Sequence, residues 1–91
     1  MYYVYILYCF KNKRLYTGFS SNLRKRVKEH SQGKSPYTKI RRPIKLVYYE
    51  AHLSKKDAQR REKYLKTAKG KSSIKQMLRD TIQNINTHKS L

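Results

Sequence analysis

The chain contains no tryptophan and one cysteine among its 91 residues. The single thiol, Cys9, excludes an intramolecular disulfide and a cysteine-rich zinc site, and it suits a reducing compartment, so we expect a cytoplasmic protein. The apolar run at the N-terminus is too short to span a bilayer. It also lacks the basic region and the small-residue cleavage site of a signal peptide. We therefore expect neither a transmembrane segment nor a leader.

Acidic residues are scarce. Five carboxylates stand against 23 lysines and arginines, which gives a formal net charge of +18. A charge of this size predicts a polyanionic partner. A membrane is the weaker candidate, because no segment combines a basic helical face with bulky apolar residues, so nucleic acid is the predicted partner. Composition alone does not imply catalysis, since structural RNA-binding proteins share it.

Three segments predict β-strands. Residues 2–10 form a continuous run of β-branched and aromatic residues, which is typical of a strand buried on both faces. Residues 14–19 form the returning strand of a hairpin after a short polar turn. A basic loop, residues 34–43, contains both prolines and leads to a third strand at residues 44–50.

Three further segments carry helix signals. The first is capped within residues 20–22 and runs to about residue 32, with Gly33 just past its end. The second covers residues 54–67, and the third begins at Ser73, where Gln76 completes a capping-box pattern. The order ββαβαα predicts one α+β domain over residues 1–85, with a small three-stranded antiparallel sheet flanked by helices. A polar tail, residues 86–91, is expected to fray.

Glu62 lies on the apolar stripe of the second predicted helix. Ala58 and Leu65 lie four residues before it and three after it, so the three side chains share one face. Burying a carboxylate costs several kcal/mol unless a cation, a metal or hydrogen bonds compensate it. Glu62 is therefore a candidate functional residue, and a solvated surface carboxylate is the alternative.

Two tyrosines of the predicted hairpin are further candidates. If the hairpin turn is even in length, Tyr16 falls opposite Cys9 or Leu7, and Tyr5 and Tyr16 point to the same face. A shift of one residue would separate them. Gly18 follows two residues after Tyr16, where a missing side chain lets backbone or ligand approach closely.

Arg26 and His30 are four residues apart and therefore neighbours on the first predicted helix. Leu23 and Val27 form the apolar stripe of that helix, so Arg26 and His30 flank the core. Each candidate also has a structural explanation: tyrosines pack in cores, Arg26 lies within a basic run, and a lone histidine is often structural. Their occurrence together in this order is harder to explain by packing alone.

These motifs resemble those of the GIY-YIG nuclease superfamily, in particular its small single-domain members. Tyr-Val-Tyr at residues 3–5 occupies the place of the first signature, and Tyr-Thr-Gly at residues 16–18 that of the second. YTGFSSNLRKRVKEH looks like the family's helix motif with its terminal histidine, and QRREKYLK matches the segment with the family's metal-binding glutamate. The segments SQGKSPYTK and PIKLVYYE look like its connecting region. The resemblance runs from about residue 2 to residue 78, with Tyr3 and Thr17 departing from the signature Gly and Ile.

The resemblance implies hydrolysis of a nucleic-acid phosphodiester, DNA more than RNA, by an activated water and one divalent metal. Glu62 would hold Mg²⁺ or Mn²⁺, and Arg26 would place a permanent charge beside the phosphate. Tyr5 would activate or orient the water, and Tyr16 would bond to the phosphate or the water. His30 would position a phenol or relay a proton. Which residue takes the proton stays open at this point.

Basic residues on either side of the site are expected to bind the backbone without reading the bases. They lie in the loop and on the second predicted helix, at Lys34, Lys39, Arg41, Arg42, Lys55, Lys56, Arg60 and Arg61. Tyr37 could stack on an unpaired base. Two classes of function follow: a metal-dependent endonuclease, and a non-catalytic nucleic-acid-binding module of the same fold.

Overall fold

The computed structural model describes residues 1–88 of the chain. Its elements in chain order are β1 (Tyr2–Cys9), β2 (Arg14–Ser20), α1 (Leu23–Ser31), α2 (Pro36–Lys39), β3 (Ile44–His52), α3 (Lys55–Leu65), α4 (Ala68–Met77) and α5 (Arg79–His88). The three predicted strands are present, and the predicted α+β class is confirmed.

The three strands form one antiparallel sheet in the order β2-β1-β3. In the hairpin, Tyr5 lies opposite Gly18 and Leu7 lies opposite Tyr16, which is one of the two predicted registers. Residues 10–13 therefore form an even turn, and Lys13 adopts the left-handed conformation with a φ of 56°. This register places Tyr5 and Tyr16 on the same face of the sheet.

Strand β1 is buried on both faces, as its continuous apolar sequence predicts. One face carries Val4 and Ile6, which pack against α3 and α4 in a core completed by Ala58, Leu65, Ile74 and Leu78. The opposite face carries Tyr5, whose hydroxyl bonds to His30 of α1. The sheet thus separates the main core from the side on which Tyr5 and His30 lie, whereas Glu62 lies on α3, the helix that packs on the core side.

Side-chain caps begin α1 and α3, the first and second predicted helices, as the sequence predicts. Asn22 Oδ1 accepts a hydrogen bond from the N–H of Lys25, and Ser54 Oγ accepts one from the N–H of Asp57, both at 3.2 Å. Gly33 follows the end of α1 with a φ of 79°, a conformation that glycine adopts without strain.

The third predicted helix begins earlier than expected and is divided in two. Thr67, and not Ser73, is the N-cap, and its Oγ1 accepts from the N–H of Gly70 at 3.1 Å. The prediction was wrong because a serine followed by Gln76 imitates a capping box inside a continuous helix. A Cβ on Gly70 would stand 2.1 Å from the Tyr64 carbonyl oxygen, so glycine lets α4 start directly against the end of α3.

Two further boundaries differ from expectation. The predicted loop contains the short helix α2, which Pro36 begins with a φ already suited to a first helical turn. At the other end of the chain, α5 extends to His88, beyond the predicted start of the polar tail at residue 86. Residues 89–91 of that tail lie outside the described residues. At the end of α4, Ile74 and Leu78 are buried, whereas Met77 is half exposed.

Candidate active site

Three aromatic side chains from separate elements meet on the α1 side of the sheet. Tyr5 comes from β1, Tyr16 from β2 and His30 from α1. The ring centroids lie 5.8 Å apart for Tyr5 and His30, 5.2 Å for Tyr16 and His30, and 6.5 Å for the two tyrosines. The hairpin register thus brings both predicted tyrosines against the predicted histidine.

Gly18 provides the space that this arrangement needs. A Cβ at this position would stand 2.2 Å from Tyr5 Cζ and 2.3 Å from Tyr5 Oη, which is far inside contact distance. The Tyr5 ring therefore lies directly across the backbone of β2. The close approach expected at Gly18 is made by a side chain of the protein itself.

His30 is fully buried and hydrogen-bonded through both ring nitrogens. Its Nε2 lies 2.9 Å from Tyr5 Oη, and its Nδ1 lies 2.7 Å from Thr38 Oγ1. Burial, helped by the nearby charge of Arg26, lowers the pKa of His30 from 6.5 to about 4. The imidazole is therefore neutral at neutral pH, and it donates from one nitrogen while it accepts at the other.

Thr38, on α2, belongs to the candidate site, although the sequence did not single it out. Its side chain is fully buried, and within residues 1–88 its hydroxyl bonds to His30 alone. If Thr38 donates to Nδ1, then Nε2–H donates to Tyr5 Oη. The other tautomer leaves the buried Thr38 proton without an acceptor, at a cost of about 1–3 kcal/mol. In the first arrangement, however, the proton of the buried Tyr5 phenol has no acceptor within residues 1–88, so the proton on Nε2 is favoured once Tyr5 is deprotonated.

The Tyr5 phenol is a weak acid in this setting. It is 1% exposed, and burial, followed by the proximity of Tyr16, raises the pKa of Tyr5 to about 12. The Arg26 guanidinium opposes this shift because it favours the phenolate. Once deprotonated, the Tyr5 oxygen would accept the N–H of His30 beside this positive charge. Tyr16, in contrast, is only partly buried.

Arg26 lies at the rim of the site. Its side chain is 35% exposed, and Nη1 donates to Glu29 Oε1 at 3.2 Å. The ion pair with Glu29 leaves the guanidinium close enough to Tyr5 to influence the pKa of that phenol. Arg26 is therefore part of the site, and the basic run around it does not make it a purely solvated side chain.

Glu62 stands half-buried on α3, with a side chain 22% exposed. Its Oε2 accepts from Lys66 Nζ at 2.9 Å, while the Arg26 guanidinium is paired with Glu29 instead. The negative charge of Glu62 is one of the influences that raise the pKa of Tyr5. The carboxylate therefore acts on the same phenol as Arg26 and His30.

The donor set suits a hard cation that brings most of its own ligands. Within residues 1–88, no three side chains among histidine, cysteine, aspartate and glutamate come together as a metal cage. Mg²⁺ is commonly held by one or two carboxylates and completed by water and phosphate oxygens, so a single Glu62 fits such an ion. It does not fit zinc, which takes three or four protein ligands.

The two loop arginines are engaged within the protein. Arg41 Nη1 donates to the Tyr37 carbonyl oxygen at 2.6 Å, and its guanidinium lies 3.9 Å from the Tyr37 ring centroid. Arg42 donates from Nε to the Lys39 carbonyl oxygen at 3.0 Å and from Nη1 to that of Ser31 at 3.3 Å. Both arginines therefore order the loop around α2, in addition to any contact with phosphate.

Arg61, on α3, is also hydrogen-bonded within the protein. It donates to both carboxylate oxygens of Glu50 on β3, from Nε at 3.1 Å to each and from Nη2 at 2.9 Å to Oε2. This pair joins the sheet to the helix, so Arg61 has a structural role that its place in a basic run concealed. Arg60, 73% exposed, pairs only loosely with Asp57. The predicted contact lysines Lys34, Lys39, Lys55 and Lys56 are exposed.

The model of the GIY-YIG catalytic domain matches residues 1–76 of the chain. This protein belongs to the GIY-YIG family. A UPF0213 protein of Clostridium perfringens is 41% identical to it over 100% of this chain and 98% of that protein. One of Staphylococcus haemolyticus is 46% identical over 80% and 89%. The solution NMR structure of a UPF0213 protein from Bacillus halodurans covers 85% of both chains with 37% identity and a TM-score of 0.54.

Membership of the GIY-YIG family places the chain in a nuclease superfamily whose domains act on nucleic acids. The matched residues include Tyr5, Tyr16, Arg26, His30 and Glu62. Within residues 1–88, no helix has the length and apolar character needed to cross a membrane.

Proposed function

We propose that this GIY-YIG protein is a metal-dependent endonuclease that hydrolyses nucleic-acid phosphodiester bonds, with DNA as the expected substrate. The observation that carries the proposal is the buried hydrogen-bonded series Thr38–His30–Tyr5. Packing alone does not require a fully buried histidine bonded at both nitrogens. Such a histidine does, however, control the proton of the phenol that it contacts.

Each residue of the candidate site has a separate role in the proposed hydrolysis. The oxygen of a water molecule forms a bond to phosphorus while the bond to the leaving oxygen breaks. Tyr5 orients this water. The charge of Arg26 and that of a bound cation would favour release of the phenol proton to solvent, and the phenolate then accepts the proton of the water while His30 donates Nε2–H to the same oxygen. The more exposed Tyr16 bonds to the phosphate, and Arg26 balances its developing charge. The leaving oxygen takes a proton from solvent.

The metal would be held by the carboxylate of Glu62. A bound Mg²⁺ or Mn²⁺ supplies positive charge to the phosphate and the leaving oxygen. For Glu62 to act as a ligand, its ion pair with Lys66 must open. Lys66 is 52% exposed, and an ion pair of this kind contributes no more than about 1 kcal/mol, so the cost of opening it is small.

The same ion pair favours the second candidate, a non-catalytic nucleic-acid-binding module. Lys66 already compensates the charge of Glu62, which is the compensation that a purely structural carboxylate would need. The two candidates therefore differ in whether the carboxylate is required for cleavage.

A nicking assay separates the candidates. Plasmid and branched DNA are incubated with the wild type and with Glu62→Gln, in Mg²⁺, in Mn²⁺ and in EDTA. The Gln variant keeps the side-chain volume and removes the charge that holds the cation. We expect metal-dependent nicking by the wild type, loss of nicking in the variant, and DNA binding that persists or tightens because a negative charge has gone. A wild type that binds but never nicks with either metal would establish the binding module instead.

A further inference from the structure

A groove next to the candidate site has no role in the chemistry described above. It has a volume of about 1050 Å³ and lies between β2 residues 14–17 and the helices α4 and α5. We call it the β2–α5 groove. Its lining includes Tyr16 of the candidate site and Lys66, whose ammonium group binds Glu62. The β2–α5 groove therefore reaches the candidate site at Tyr16, and through Lys66 it adjoins Glu62.

The walls of the β2–α5 groove are basic. The cations among its lining residues are Lys13, Arg14, Lys66, Lys71, Lys75 and Arg79, and no carboxylate is found among its described lining. A surface of this kind follows a phosphate backbone without reading the base sequence. None of these six cations belongs to the loop or to the outer face of α3, where the sequence placed the binding surface.

The floor of the β2–α5 groove is apolar. Leu15, Ile74 and Ile82 line it, and all three belong to the hydrophobic core or pack against it. Tyr37 lines the end near the site with a ring that is 41% exposed and lies 5.3 Å from the ring of Tyr16. Paired bases are hidden inside a duplex, whereas unpaired bases offer flat apolar faces to such a floor and to aromatic rings.

The size of the β2–α5 groove also favours a single strand over a duplex. Its volume is at the upper end of that of small-ligand pockets, roughly 300–1,000 Å³. It accommodates a short run of unpaired nucleotides and is far too small to enclose a duplex. The described part of the protein measures 40 × 28 × 18 Å, so a duplex can only lie against its outer surface.

We propose that the β2–α5 groove binds the unpaired strand that adjoins the phosphate to be cleaved, so that the substrate is nucleic acid with a single-stranded segment next to the cleavage site. The choice of ligand rests on the proposed nuclease function. The phosphates contact the basic walls and the bases lie against the apolar floor.

Binding in EDTA tests the proposal without any cleavage. The probes are a labelled oligothymidylate, a blunt duplex of equal length, and the same duplex with a 3′ or a 5′ overhang. For the wild type we expect the single strand and one of the overhang duplexes to bind at least about 10-fold more tightly than the blunt duplex, since only they offer unpaired bases. A blunt duplex that binds as tightly as the single strand would overturn the proposal.

Two triple variants with equal charge loss supply the matched comparison. The wall variant lacks three of the cations that line the groove, through Lys71→Ala, Lys75→Ala and Arg79→Ala. The control variant lacks three exposed cations that do not line it, through Lys45→Ala, Lys63→Ala and Lys69→Ala. The wall variant should lose about two units of slope in log affinity against log salt on the single strand, from three contacts of roughly 0.7 each. The control should lose much less. Equal losses in both folded variants would mean that net charge alone is at work.

The nuclease function and the groove assignment can be refuted independently of each other. If the wild type never nicks DNA but keeps its preference for unpaired strands and loses it in the wall variant, the nuclease function fails and the β2–α5 groove stands. If it nicks blunt duplexes as fast as overhang substrates and binds them as tightly, the nuclease function stands and the groove assignment is overturned.

Discussion

Acidification should destabilise the fold through His30. The unfolded chain protonates this histidine below about pH 6.5, whereas the folded protein keeps it neutral until about pH 4. Between these two values the unfolded state binds the additional proton, so the free energy of unfolding falls as the pH falls. At 1.36 kcal/mol per pH unit, the depressed pKa corresponds to roughly 3 kcal/mol lost across the interval.

Urea unfolding of the wild type and of His30→Asn between about pH 7 and about pH 4.5 measures this effect. The variant is needed because carboxylates also titrate at the acidic end. Arg26 and the Tyr5 phenol, which lie beside His30, keep their protonation throughout. We expect the variant to be less stable at neutral pH and to lose less stability on acidification. Parallel curves for the two proteins would refute the idea that the folded state holds His30 neutral.

Three substitutions test the remaining geometry. Tyr5→Phe keeps the ring and removes the hydroxyl that His30 contacts, so nicking should fall by at least about 10²-fold while the protein stays folded; a wild-type rate would make Tyr5 a core residue. Gly18→Ala places a methyl group 2.2 Å from Tyr5 Cζ, so thermal unfolding should show a loss of about 1–3 kcal/mol together with lost nicking. An unchanged melt and rate would contradict the close packing of Tyr5 on β2. Thr38→Val removes the hydroxyl that bonds to His30 Nδ1, so nicking should drop and its pH profile should shift, with both restored by Thr38→Ser. A profile that does not move would leave Thr38 only a packing role.

Local sequence patterns predicted the features that depend on neighbouring residues. The hairpin register followed from alternation and an even turn, so Tyr5 and Tyr16 could be placed on one face. The caps at Asn22 and Ser54 depend on bonds made within three residues, and both were predictable from residue type. The resemblance to the GIY-YIG nucleases, confirmed by the family match, supplied the mechanism that no local pattern contains.

Features made by contacts distant in sequence were missed. Thr38 reads as one polar residue of a basic loop, and only the packing of α2 against α1 gives its hydroxyl to His30. The sequence indicates that Arg61 is a surface cation. In the structure it donates to Glu50, which lies eleven residues earlier on β3. The β2–α5 groove depends on where α4 begins, and that position was hidden because Thr67 caps α4 without an acid or glutamine three residues on.

The bond between His30 and Thr38 has a consequence for how the site comes into being. A helix of four residues such as α2 has no stability of its own, because nucleating so short a segment is unfavourable. One buried attachment of α2 to α1 is the Thr38 hydroxyl, which bonds to Nδ1 of His30. The ordering of α2 and the hydrogen bonding of the imidazole are therefore coupled. A molecule in which α2 has detached from α1 has lost the partner of His30 Nδ1 even though the sheet beneath is intact.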